Sequence, residues 1–300
     1  MAGLKEIRRR LKSVNNTKKI TYAMKLVSAA KLRKTQEAVV RSRAYSDALL
    51  AVLGEIVGRQ QGQEFSHPLM EKRLTVRKIH LLILGGARGL CGAYNTNINR
   101  KVEIFYREKM AEHPGATITT TILGKKPAEY YRRVGKNYSE AIEVLPDDPQ
   151  AWPTDDVSKK IELGFLTEDY DEVYILFTRF KSAISMTATL ERLLPLESTQ
   201  SLVADKQETK SGMDSLTLFE PSANAVFAAL IPRLIRSRIR QAALDSKASE
   251  HASRMTAMDA ATKNASELMH SLTLTRNRLR QSGITSQLLD IVGGAEALRG

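Results

Sequence analysis

The chain has 300 residues, 42% hydrophobic and 26% charged, globular values that exclude intrinsic disorder as its general state. Its single cysteine, Cys91, excludes an internal disulfide, and no apolar run approaches the roughly 20 residues of a membrane-crossing helix. The net charge of +13 is uneven: residues 1–43 carry 13 Lys/Arg against Glu6 and Glu37, whereas the middle of the chain is mildly acidic, an asymmetry that calls for partners with negative surface.

The first segment, 1–57, holds no proline and no glycine between Leu4 and Gly54. Leu4, Ile7, Leu11 and Val14 recur at spacings of three and four, the seam of a two-helix contact, and a looser stripe continues through Met24, Val27, Tyr45, Leu49, Val52 and Ile56. One helix about 54 residues long is expected, roughly 80 Å at 1.5 Å per residue, stopped by the polar, glycine-bearing "GRQQGQEFSHP". The opening "MAGLKEIRRRLKSV" lacks a signal peptide's apolar stretch and reads as cytosolic.

The period then changes. "KIHLLILGG", "TITTTILG", "EVYILFTRF" and "SMTATLERLLPL" read as strands, with helices expected at Tyr94–Met110, Lys125–Arg133 and Val157–Phe165. That alternation predicts an open, Rossmann-like α/β sheet domain over 75–200, followed by a mobile polar loop, "ADKQETKSGMDS". The third segment, 215–300, is predicted to be a second long helix that can begin at Pro221 and kinks at Pro232, with stripes at Ile231, Ile235, Ile239 and at Leu268, Leu272, Thr275, Leu279. Between those stripes lie alanines and serines, which let backbones approach closely. The fold class is therefore mixed: a long antiparallel two-helix coiled coil from the two termini, with an inserted α/β domain. The chain closes on an apolar run, Leu288, Leu289, Ile291, Val292 and Leu298, that either folds back into its own core or is enclosed by another protein.

No catalytic constellation stands out. "LGGARGLCGAYN" sits between a strand and a helix, where phosphate loops sit, yet Arg88 breaks the dinucleotide fingerprint and no Gly-Lys-Ser/Thr occurs, so a tight structural turn is preferred over an anion site. The five histidines fall at no metal-ligand spacing, Cys91 reads as a packed thiol, and no metal or cofactor is expected. The basic helix from Lys5 to Arg43 allows, as an alternative, a coiled-coil binding module for nucleic acid or an acidic protein scaffold, but Tyr22 is its only aromatic residue and its charges keep to no single stripe.

"LKEIRRRLKSVNNTKKITYAMKLVSAAKLRK", "GLCGAYN", "AALDSKASEHASRMTAMDAATKNA" and "IVGGAEAL" closely resemble segments of the gamma subunit of F-type ATP synthases, in order and over about the whole chain. The resemblance implies a non-catalytic rotor of a bacterial enzyme on the cytoplasmic face of the membrane. Its two terminal helices would form an axle inside a hexameric ring of alpha and beta subunits, with the epsilon subunit and the c-subunit ring at its foot, no nucleic acid and no insertion into the membrane. It implies stator-facing roles for Met24, Lys25, Arg254, Arg280, Gln281 and Thr285, an apolar bearing at Leu288, Leu289, Ile291, Val292 and Leu298, and a foot facing the c ring at Arg43, Tyr45 and Glu220. Gly86-Ala87 stand where the family usually has Ser-Asp, and Ala44 where a proline is frequent.

Overall fold

The computed structural model describes residues 2–59, 65–196 and 219–297. The expected polar loop after Val203 and the last apolar residue of the tail, Leu298, lie outside them. The described chain forms two compact units, Lys31–Ser253 and the pairing of Met1–Ala30 with Arg254–Gly300. Helices α1 (Ala2–Arg59) and α5 (Ala223–Ala297) run through both. Pro232 lies inside α5, as expected, and the first helical residue is Ala223, two after Pro221.

The seam of α1 is more regular than the apolar side chains suggest. From Leu4, steps of three and four alternate without a slip to Ile56, and each residue so reached is buried or half-buried. Leu4, Ile7, Leu11 and Val14 begin it and Leu49, Leu53 and Ile56 end it; between them stand Lys18, Thr21, Lys25, Ser28, Leu32, Thr35, Val39, Ser42 and Ser46. Val27, Tyr45 and Val52, assigned to the stripe from their bulk, are exposed. The period holds while hydrophobicity lapses, because small hydroxylated residues fill a narrow gap that large side chains would force open. On α5 the inward positions are likewise Met258, Thr262, Ala265, Met269, Leu272 and Arg276; Leu268 and Thr275 point away, and Leu279 is largely exposed.

Within Lys31–Ser253 stands a five-stranded sheet of β1 (Lys78–Leu84), β2 (Thr117–Leu123), β3 (Glu140–Ile142), β4 (Glu172–Phe180) and β5 (Met186–Leu194), ordered β3-β2-β1-β4-β5. The first four are parallel and β5 returns antiparallel to β4. Strand β3, three half-buried residues long, is too short to leave a pattern and is absent from the sequence reading. Helices α2 (Tyr94–Glu112) and α3 (Lys125–Val134) bury Ile98, Val102, Phe105 and Tyr131 against Ile79, Leu81, Ile83 and Ile122. The opposite face, with Leu82, Leu84, Ile175 and Phe177, is covered by α4 (Thr154–Leu166) together with Leu49, Leu53 and Ile56 of α1 and Ile231, Leu234, Ile235 and Ile239 of α5. Both faces are thus buried, which is why β1 reads as a continuous apolar run.

Candidate functional site

In a doubly wound sheet a ligand crevice opens beyond the carboxyl ends of the strands, where the strand order reverses; here that point lies between β1 and β4. Helix α5 occupies it. Thr178 N–H of β4 donates to Ser246 Oγ (3.2 Å), and that hydroxyl lies 3.3 Å from the carbonyl of Leu84 at the end of β1. Ser249 donates to Thr178 O (3.1 Å) and Ser253 to Cys91 O (2.8 Å). Three serines at spacings of three and four thus fasten the helix to two strand ends and to the glycine loop. Residues 242–252 are buried without interruption.

Charged groups inside this stretch find partners. Lys247 pairs with Glu250 (3.2 Å) and approaches Asp147 (3.8 Å). Asp245 accepts from Arg43 (3.2 Å) and Gln241 (3.2 Å), yet burial outweighs both and pushes its carboxyl up to about 6. Further ties join α1 and α5 to neighbouring parts of the same unit: Lys31 to Asp147, Lys34 to Asp148 (3.3 Å), Ser46 to Ser237 (2.7 Å) and Arg240 to Asp155 (3.0 and 3.2 Å).

The glycine loop starts as a tightly packed turn at Gly85 and Gly86, and Arg88, Gly89, Leu90 and Gly92 beyond it are exposed. A Cβ on Gly85 would stand 2.5 Å from Pro127 Cγ, and one on Gly124, where φ is 124°, 2.5 Å from Gly85 O. Cys91 is buried and receives the Asn95 amide at 3.1 Å. His80 is buried, bonded to Thr119 (2.9 Å) and stacked on Tyr170; burial lowers its pKa to about 4.

In the second unit the terminal parts of α1 and α5 run antiparallel. Lys25 Nζ bonds Asp259 Oδ1 (2.6 Å), the Thr262 hydroxyl bonds that of Thr21 (2.8 Å), and Leu279 lies beside Gly3. Asp259 also pairs with Lys263 (3.0 Å); the hydrogen bond from Lys25, then that from Lys263, holds its carboxyl below the usual range, while Lys25 is raised by the same bond. Past Leu279 helix α5 has outrun the start of α1, and residues 280–295 are all exposed, with Leu288, Leu289, Ile291 and Val292 between 57% and 68%. The first alternative for the tail, folding back into the chain's own core, does not occur among these residues.

The other residues singled out from the sequence fall in several places. Lys25 is half-buried in the seam and Met24 half-buried beside it, and Arg280, Gln281 and Thr285 lie on the exposed stretch. Arg254 is 8% exposed. Tyr45 and Glu220 are exposed, whereas Arg43 turns partly inward, donating to Phe180 O (2.7 Å) as well as to Asp245.

A family model described as ATP synthase matches residues 3–298. Proteins called ATP synthase gamma chain from Geobacter metallireducens and Bdellovibrio bacteriovorus are 41% and 39% identical to the chain, each alignment covering 100% of both partners. The chain belongs to the ATP synthase gamma-chain family. The gamma-subunit role that the terminal motifs imply stands with that membership. Two solved chains of the Euglena gracilis mitochondrial ATP synthase, described as rotor and as OSCP/F1/c-ring, share the fold at TM-scores of 0.62 and 0.64 and 21% identity; the first covers 94% of this gamma chain and 99% of its own length, the second 99% and 95%. No described helix of the gamma chain is long and apolar enough to cross a membrane.

What the sequence reading of this gamma chain missed is the serine set. Ser249 and Ser253 lie in a stretch read only as small residues between close backbones, and Ser246 stands two residues before it; their spacing on one helical face was the available signal.

Proposed function

We propose that this gamma chain is the non-catalytic rotor shaft of a bacterial F-type ATP synthase, coupling ion-driven rotation of the c-subunit ring to conformational cycling of the catalytic beta subunits. It would lie on the cytoplasmic face of the membrane, bound peripherally through its foot, inside a hexameric ring of alpha and beta subunits and in contact with the epsilon subunit. The observation that carries this reading is the stretch of α5 beyond Leu279, a helix with no packing partner among the described residues and with its apolar side chains exposed. A sleeve around it would bury each of these side chains for about 1.5–3 kcal/mol at full burial. Apolar burial depends on area and hardly on orientation, which suits a turning bearing.

Torque enters, on this reading, at the foot residues Arg43, Tyr45 and Glu220. It passes into α5 through Ser246, Ser249 and Ser253 and is read out by stator loops at Met24, Lys25, Arg280, Gln281 and Thr285, whereas Arg254, at 8% exposure, is left out of that contact set. An arginine such as Arg280 can make charge-assisted hydrogen bonds to a carboxylate at one angle and release it at the next. The nucleic-acid alternative raised by the basic first helix gives way to the family. The test is a chain truncated after Ile284, assembled with alpha and beta subunits. Native mass spectrometry should find the complex formed, while coupled ATP synthesis and torque fall well below the full-length level. Unchanged coupling without the tail would refute the bearing.

A further inference from the structure

On α1, α4 and α5 lies a cavity of about 120 Å³, of whose lining the rotor reading uses Tyr45 alone and the stator contacts use nothing. Arg233, Arg236 and Arg240 enter it from one face of α5 at spacings of three and four. Ser42 and Tyr45 of α1 add hydroxyls. Asp155, in the first turn of α4, is the one carboxylate in its lining, and Arg240 already engages it at 3.0 and 3.2 Å. Three guanidinium charges against one carboxylate leave the lining with a surplus of two.

The arginines are unequally satisfied. Arg240 has Asp155, and Arg43, elsewhere on α1, has Asp245 and Phe180 O. Arg236, in contrast, presents a buried Nε with no hydrogen-bond partner among the described residues. Such a donor is costly to leave unpaired, and neither the Arg233 nor the Arg236 guanidinium meets a carboxylate among the described residues, so a counter-charge in the cavity would serve both. Guanidinium forks match oxyanions in a bidentate way. A single carboxylate from a peptide offers one charge and two oxygens, too little for the surplus. A phosphate group carries about 1.5–2 negative charges near neutral pH and at least three acceptor oxygens, and it meets both needs.

We propose that Arg233, Arg236 and Arg240, with Tyr45 and Ser42 opposite, form a binding site for a phosphate-class oxyanion, either a free phosphate or the headgroup of an acidic phospholipid. The site goes beyond the rotor reading and does not rest on it. The experiment uses the full chain. Inorganic phosphate is titrated by calorimetry at constant ionic strength, and flotation is measured with phosphatidic acid vesicles against phosphatidylcholine vesicles. Arg236→Gln and Arg233→Gln are compared with Arg100→Gln, an exposed arginine on α2 that removes the same charge elsewhere, and circular dichroism confirms that each variant is folded. The expected result is saturable binding that weakens about tenfold in Arg236→Gln and Arg233→Gln and is unchanged in Arg100→Gln. Calorimetric binding without flotation identifies a solute, and flotation on phosphatidic acid that depends on Arg236 identifies a headgroup; either supports the site. Absence of both, or equal losses in Arg100→Gln, overturns it and leaves the bearing untouched.

Discussion

Asp245 sits among Ala242, Ala243 and Leu244, all buried, and faces an arginine that is half in solvent. Its carboxyl is raised from 3.8 to about 6 because lost hydration outweighs the bonds from Arg43 and Gln241. The folded chain therefore holds an extra proton between about pH 4 and 6, and stability declines as pH rises through that window, by at most about 3 kcal/mol. Asp245→Asn keeps the shape and the acceptor oxygen, so it is expected to raise Tm at pH 7.5, with the advantage shrinking toward pH 4; thermal unfolding at a series of pH values checks this. Asp259 has the opposite sign. Its carboxyl is held down by Lys25 and Lys263, so its contribution is complete above the ordinary carboxylate range and is lost as pH falls through the lowered value. Asp259→Asn should lower Tm at pH 7, with the difference narrowing as pH falls below the ordinary carboxylate range, an outcome the same melts record. Neither behaviour was legible in the sequence, where both residues are single acids in an alanine-rich helix.

At the scale of elements, the buried middle of α5 fixes the helix to the sheet by hydrogen bonds rather than by bulk. Removing the Ser246 hydroxyl leaves Thr178 N–H in a dry site without that acceptor, which costs about 1–3 kcal/mol. Ser246→Ala is therefore expected to destabilise the chain by that amount in a denaturant titration, while Ser271→Ala, on the exposed part of the same helix, stays within about 0.5 kcal/mol. Strands β1, β2, β4 and β5 were readable because each is a run of β-branched and apolar residues bounded by turn formers. The seam of α1 was readable only at its ends. Thr21, Ser28, Thr35 and Ser46 occupy inward positions without being hydrophobic, and a search for bulk passes over them.

For the whole molecule, the prediction that separates stability from function concerns the tail. Leu288, Leu289, Ile291 and Val292 touch no core among the described residues, so replacing all four by serine should leave the unfolding free energy within about 1 kcal/mol of the wild type, read as a small shift of Tm. The same variant assembled with alpha and beta subunits should lose coupled ATP synthesis; retained coupling would contradict the bearing. Much of this protein could be determined from its residues alone: two long terminal helices, an α/β sheet between them, a basic first helix and an apolar end. Those properties follow from periodicity, composition and local turn chemistry, which act between residues close in the chain. The tertiary structure alone decided that α5 fills the crevice beyond β1 and β4, that Lys25 meets Asp259, that α5 outruns α1, and that three arginines share a cavity with one aspartate. Each of these depends on the register at which segments far apart in sequence come to rest, and no local pattern encodes that register.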